Sequence, residues 1–136
     1  MQILCSSEFI QNLNLLTKAK YSGTYGTLKA EIDAFFKVHD TFDKVLSENF
    51  MLRDAKFVRL NKIRLDNPLQ NSGKSGGFRM ILICDRRTND IGLICVYPKR
   101  GAHGRENTPD DLLKKWVKAY TNDKSLGKLK NYKDLV

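Results

Sequence analysis

Residues 78–97 read FRMILICDRRTNDIGLICVY, two apolar runs separated by a polar turn. Each run has the length of a β-strand and is rich in aliphatic residues, whereas the DRRTND segment between them has the composition of a turn. Because both runs are apolar along most of their length, the pattern predicts a β-hairpin at the centre of an antiparallel sheet.

The segment before this hairpin supplies a third strand. In residues 56–65, KFVRLNKIRL, basic residues are interleaved with apolar ones, as in a half-buried strand. Residues 66–77 are rich in Asn, Ser and Gly and contain one Pro, which predicts a loop. The three strands are therefore expected to pair as a meander.

Apolar residues at helical spacing predict helices on both sides of the strands. The predicted elements are a short strand at residues 1–5, helices from Ser6 or Ser7 to about Ala19 and from near Thr27 to His39, a short helix within residues 41–49, and a C-terminal helix from Thr108 through Tyr120. This order predicts an α+β fold, with N-terminal helices packed on a small antiparallel sheet and a C-terminal helix. We expect one domain over residues 1–120 and a basic, loosely held tail over residues 121–136.

Composition narrows the class of protein. The 136 residues carry 24 Lys and Arg against 15 Asp and Glu, a net charge of +9 that favours a polyanionic partner. The three cysteines form no close pair, which argues against a disulfide framework and a zinc site. No signal peptide and no apolar run of membrane-spanning length is recognisable, so we expect a cytoplasmic protein.

One motif resembles a phosphate-binding loop but does not complete it. Gly73-Lys74-Ser75 matches the end of that motif, yet Pro68 holds the position of its first glycine. A strand rather than a helix is also predicted to follow. We therefore expect no nucleotide-binding loop here.

Basic residues recur at the same end of the predicted strands. Lys62 and Arg64 are two residues apart and share a face, Arg79 begins the next strand, and Lys99 and Arg100 end the one after. If the strands pair as a meander, these cations form one patch suited to phosphate groups. Spacing alone leaves open the alternative of solvent-facing cations scattered along a sheet edge.

The same strands carry short motifs that resemble the RelE/ParE toxin superfamily. The matching segments are Asn61-Lys62-Ile63-Arg64-Leu65, then Gly73-Lys74-Ser75-Gly76-Gly77-Phe78-Arg79-Met80-Ile81, then Ile91 to Tyr97 followed by Pro98-Lys99-Arg100. The order of the helices is also similar over roughly residues 1–120. The loop at residues 66–77 is longer than in the shortest members, and Asp66 places a negative charge beside the cations.

The resemblance implies an mRNA endoribonuclease of a type II toxin–antitoxin system, which needs neither a metal ion nor an organic cofactor. Its partners would be a cognate antitoxin protein and mRNA, usually on the ribosome, with no membrane involved. The residues that match the family's catalytic positions are Lys62, Arg64, Arg79, Arg100 (with Lys99 as the alternative register) and His103, and the additional RNA-binding candidates are Lys74, Lys99 and Arg105. Tyr97 and Glu106 are alternatives to His103 as the acid–base residue.

Three other functions remain open at this point. One is a ParE-like inhibitor of DNA gyrase without nuclease activity, another is a non-catalytic nucleic-acid-binding module, and the last is an inactive toxin relative that binds only its antitoxin. Trp116 and Tyr120 could stack on bases, but their spacing with Leu112 and Leu113 predicts core positions.

Overall fold

The computed structural model describes residues 1–48, 51–70, 76–99, 104 and 110–135. The α-helices are α1 (Ser7–Leu16), α2 (Ser22–Tyr25), α3 (Leu28–Val38), α4 (Phe42–Leu46) and α5 (Asp110–Ser125). The strands are β1 (Ile3–Cys5), β2 (Met51–Asp54), β3 (Val58–Leu65), β4 (Phe78–Asp85), β5 (Asp90–Pro98) and β6 (Lys130–Asn131). Short 3₁₀ turns cover Ala19–Tyr21, Pro68–Gln70 and Tyr132–Asp134.

The strands form one sheet in the order β2-β3-β4-β5-β1-β6. The predicted meander is confirmed, because β4 pairs antiparallel with both β3 and β5. The expectation of a purely antiparallel sheet is wrong, because β1 pairs parallel with β5, with Ile3 opposite Ile91. A short apolar strand gives no sign of its direction, since side chains alternate between faces in both kinds of pairing.

Apolar side chains cover both faces of the sheet. On one face, Phe9 of α1 and Ile32 of α3 belong to a core that includes Met80 of β4. On the other face, Trp116 of α5 belongs to a core with Ile81, the next residue of β4. Because successive residues of a strand point to opposite sides, the helices form separate layers above and below the sheet.

The start of α1 and the end of α3 agree with the sequence. Ser6 is the N-cap of α1, and its Oγ accepts a hydrogen bond from the Phe9 N–H at 3.1 Å. His39 ends α3 and has a structural role, with its Nδ1 3.0 Å from the Phe35 carbonyl oxygen and its Nε2 2.7 Å from Glu48 Oε2. α4 confirms the short helix expected within residues 41–49.

The C-terminal segment is part of the fold, so the expectation of a loosely held tail is wrong. α5 continues past Tyr120 to Ser125, and β6 then pairs antiparallel with β1. Tyr132 is buried, and its hydroxyl donates a hydrogen bond to Asp33 Oδ1 at 2.6 Å. Leu135 and Leu129 of this segment also pack against the two cores, so apolar contacts hold a segment whose composition is mostly polar. Among the described residues, no helix is both long and apolar enough to cross a bilayer.

Candidate nucleic-acid interface

The pairing of β3, β4 and β5 brings basic side chains together at one end of the sheet. Arg64 lies opposite Arg79 on the neighbouring strand, and Arg79 lies opposite Tyr97 on the next. Lys62 shares the face of Arg64, and Lys99 follows Tyr97 by two residues, so the alternation of side chains places all of them on the α5 side of the sheet. We call Lys62, Arg64, Arg79 and Lys99 the cation cluster.

The cations of the cluster repel one another electrostatically. The pKa of Lys62 is lowered, first by burial and then by the positive charges of Arg79, Arg64 and Lys99. The pKa of Arg79 is lowered by burial and by Arg64, an effect that Tyr97 partly opposes. Because the cations disfavour one another's charged forms, a bound phosphate would relieve their repulsion.

Arg79 occupies the centre of the cluster and is only 3% exposed. Its Nη1 donates a hydrogen bond to the Phe78 carbonyl oxygen at 3.1 Å, which limits the orientations open to the guanidinium group. Burying a charged group costs free energy. Its position among other cations is therefore hard to explain by solubility, and suits a site built to receive an anion.

Gly77 allows the ends of β3 and β4 to approach closely enough to form the cluster. A Cβ atom at this position would overlap the carbonyl oxygen of Leu65 at the end of β3. The Gly77 carbonyl oxygen also accepts a hydrogen bond from the Lys99 N–H at 2.8 Å, which extends the pairing of β4 and β5 toward the cluster. The close approach of these strand ends therefore requires a glycine immediately before Phe78.

The remaining candidates fall into two groups. The residues that lie outside the described part of the chain are Lys74, Arg100, His103, Arg105 and Glu106. Tyr97 is described, is 5% exposed and packs against Trp116, with ring centroids 6.0 Å apart. Trp116 and Tyr120 are buried, which confirms that they are core residues.

Two polar residues of α1 that the sequence did not single out line a pocket together with Tyr97, the residue opposite Arg79 in the sheet. Glu8 Oε1 accepts a hydrogen bond from Trp116 Nε1 at 3.1 Å. Asn12 Oδ1 accepts one from the Val96 N–H, also at 3.1 Å. Glu8 and Asn12 are four residues apart and therefore share one helical face, but on a sequence such a polar pair is indistinguishable from a solvated face.

Within the described residues, no group of three or more His, Cys, Asp or Glu side chains is arranged to hold a metal ion. No protein-family model matches the chain, and no curated protein and no solved structure matches it significantly. The function is therefore inferred from the cation cluster and from the motifs on the strands that carry it.

Proposed function

We propose that the chain is the toxin of a type II toxin–antitoxin system, a cytoplasmic endoribonuclease that cleaves translated mRNA without a metal ion. The observation that carries the proposal is the convergence of Lys62, Arg64, Arg79 and Lys99 at the ends of three adjacent strands. The same residues carry the motifs that resemble RelE-like toxins. A cluster with one buried and two half-buried cations suits a reaction whose transition state gains negative charge.

The proposed reaction is an attack of a ribose 2′-hydroxyl on the adjacent phosphate. The 2′-oxygen forms a bond to phosphorus while the bond from phosphorus to the 5′-oxygen breaks. The products are a 2′,3′-cyclic phosphate and a free 5′-hydroxyl. The 2′-hydroxyl loses its proton to a base, and the departing 5′-oxygen receives one from an acid, so charge builds up transiently on the non-bridging phosphate oxygens.

Within this scheme the described cations take different roles. Arg79 would hold two oxygens of the scissile phosphate through its planar guanidinium group. Lys62 would act near the same phosphate as a proton donor, since a lowered pKa makes its ammonium group release a proton more readily. Arg64 is exposed and would contact the RNA backbone. We retain Arg100 and His103 as the proposed additional cation and acid–base residue.

The expected antitoxin would fit a groove on the same face of the molecule. The groove has a volume of about 300 Å³ and lies between α5 and the strands. Its apolar lining includes Leu60, Ile83 and Leu113, and its basic residues include Arg53 and Lys114. This combination suits an acidic amphipathic segment of the antitoxin, and co-production of the antitoxin should relieve growth arrest.

The first prediction concerns Arg79. We expect production of the wild-type chain in bacteria to arrest growth and to create new 5′ ends within translated messages. Arg79→Ala should reduce cleavage by about 100-fold or more, because it removes the central phosphate-binding group. Arg87→Ala, which removes an exposed arginine at the opposite end of β4, is the matched control and should cleave like the wild type. The measurement is primer-extension mapping of 5′ ends in cells that contain equal amounts of each variant.

Other outcomes would point to the alternative functions. Growth arrest without new 5′ ends would contradict the nuclease and favour a protein target such as gyrase. RNA binding that weakens steeply with salt, without strand scission, would indicate a binding module. Equal cleavage by wild type and Arg79→Ala would contradict the role given to Arg79.

A further inference from the structure

A small pocket lies near the end of β5, and one of its lining residues, Tyr97, is opposite Arg79 of the cation cluster. It has a volume of about 130 Å³ and lies between α1, the end of β5 and α5. Its lining combines aromatic, polar and apolar side chains, among them Glu8, Asn12, Leu15, Tyr97, Pro98 and Trp116. The side chains from α1 are half-buried, so the pocket opens to solvent beside that helix.

Two hydrogen bonds fix the polar groups of this pocket. Trp116 Nε1 donates to Glu8 Oε1 at 3.1 Å, and the Val96 N–H donates to Asn12 Oδ1 at 3.1 Å. Because the carboxamide uses its oxygen, its amino group is left as a donor, while the carboxylate keeps Oε2 as an acceptor. Neither of these two atoms has a hydrogen-bond partner among the described residues. The pocket therefore offers one acceptor and one donor beside aromatic rings.

Tyr97 links the pocket to the cluster. This residue lines the pocket, lies opposite Arg79 in the sheet and interacts electrostatically with it. Neighbouring strands are about 4.8 Å apart. A nucleotide whose phosphate is held at Arg79 would thus have its base within reach of the pocket, without crossing another structural element.

We propose that this pocket binds a nucleobase next to the scissile phosphate and selects bases whose Watson–Crick edge presents an amino group beside a ring-nitrogen acceptor, namely cytosine or adenine. The proposal rests on the RNA-cleaving function proposed above. Glu8 Oε2 accepts from the exocyclic amino group, and Asn12 Nδ2 donates to the ring nitrogen. Uracil and hypoxanthine present the reverse order of donor and acceptor and are disfavoured.

Trp116 provides a direct probe, because it is the single tryptophan of the chain and lines the pocket. Titration with cytidine or uridine monophosphate, and with adenosine or inosine monophosphate, compares bases that differ at the amino or keto position. We expect the wild type to bind the amino member of each pair roughly tenfold more tightly, as measured by the change in Trp116 fluorescence.

Glu8→Gln is the decisive variant. A glutamine keeps an oxygen for the Trp116 N–H and replaces Oε2 with an amino group, so each base then meets one matched and one mismatched group and the preference should be lost. The double variant Glu8→Gln/Asn12→Asp exchanges donor and acceptor at both positions and should reverse the preference toward uridine and inosine monophosphates. Asn12→Asp keeps the acceptor for Val96 and removes the donor, and should abolish the preference for cytidine. Glu31→Gln, in a groove beside Arg64 on the other side of the cluster, should leave the preference unchanged. Thermal melting establishes that each variant is folded.

The base pocket and the proposed RNA cleavage can each be refuted without the other. Equal affinities within each pair for the wild type, no binding, or a preference unchanged in folded Glu8→Gln would overturn the base pocket, even if the protein cleaves RNA. Selective binding that is lost in Glu8→Gln and reverses in Glu8→Gln/Asn12→Asp supports the pocket. In a chain that cuts no RNA, the same result would leave the pocket standing while refuting the nuclease.

Discussion

At Gly92, β5 passes directly beneath the ring of Tyr120 from α5. A Cβ atom at this position would overlap the ring and hydroxyl of Tyr120. We expect Gly92→Ala to lower the free energy of unfolding by about 1–3 kcal/mol, because the ring must move within a packed core. Urea unfolding measures this loss.

Gly23→Ala is the matched control, since a Cβ atom there meets nothing within 4 Å and the position lies in α2. This variant should be unchanged or more stable by up to about 1 kcal/mol. Equal losses in the two variants would mean that contact with Tyr120 is not the cause.

The site residues that the sequence predicts and those that it misses differ in how far along the chain their contacts lie. Lys62, Arg64 and Arg79 were predicted to meet because strand alternation and hairpin pairing are local rules. Glu8 and Asn12 join the site through hydrogen bonds to residues 108 and 84 positions away. No spacing rule reports such a contact, because it depends on how the helices are placed around the completed sheet.

Among the secondary-structure elements, β6 and the turn after it hold the other edge of the sheet. β6 pairs with β1, Tyr132 packs into the core, and Lys29 lies over the Tyr132 ring with its Nζ 4.5 Å from the centroid. Removal of residues 128–136 should therefore destabilise the domain, because it uncovers β1 and exposes the core around Phe36.

Tyr132→Phe tests this role with a smaller change. It removes the hydrogen bond to Asp33 and keeps the ring, so we expect a loss of about 1 kcal/mol in the free energy of unfolding, against at least about 3 kcal/mol for Tyr132→Ala. Chemical denaturation compares the variants. A Tyr132→Ala protein as stable as the wild type would contradict the anchoring role of this residue.

The elements show where sequence patterns are reliable. The central hairpin, β3 and the amphipathic helices were predicted because each repeats one pattern over several residues. β2 and β6 span four and two residues, too short to show a period. Lys130 and Asn131 of β6 form a strand only because β1 offers them an edge, so the partner rather than the local sequence decides their conformation.

Across the whole molecule, the two ends of the sheet differ in how their charged side chains are arranged. At the turn between β4 and β5, carboxylates neutralise the cations, as Asp85 pairs with Lys124 at 3.0 Å and Arg87 at 3.3 Å, and Asp54 pairs with Arg86 at 2.8 Å. At the opposite end, the cluster cations lower one another's pKa values. The proposed site thus lies at the end of the sheet opposite these ion pairs.

The buried thiols give the whole fold a dependence on alkaline pH. Burial raises the pKa of Cys5 and of Cys84 from 9.0 to about 12. Above pH 9 the unfolded chain releases these protons while the folded chain retains them, so stability is fully present below pH 9 and is lost as the pH rises toward 12. Each thiol contributes at most about 1.4 kcal/mol per pH unit.

Cys84→Ala should remove one of these two contributions. Between pH 9.5 and 10.5, the two thiols should lower the free energy of unfolding of the wild type by up to about 2.7 kcal/mol, and the one remaining thiol should lower that of the variant by up to about 1.4 kcal/mol. Burial also raises the pKa of Tyr120 and of Tyr132, which adds the same further loss to both proteins, so the difference between the two slopes is the quantity to compare. Urea unfolding under reducing conditions at several pH values measures both slopes. Identical slopes would show that Cys84 ionises as readily in the folded as in the unfolded chain. A shallower slope in the variant would instead mean that the folded core around β4 disfavours the thiolate form of Cys84. The same strand would then exclude a negative charge at one end and carry the positive charge of Arg79 at the other.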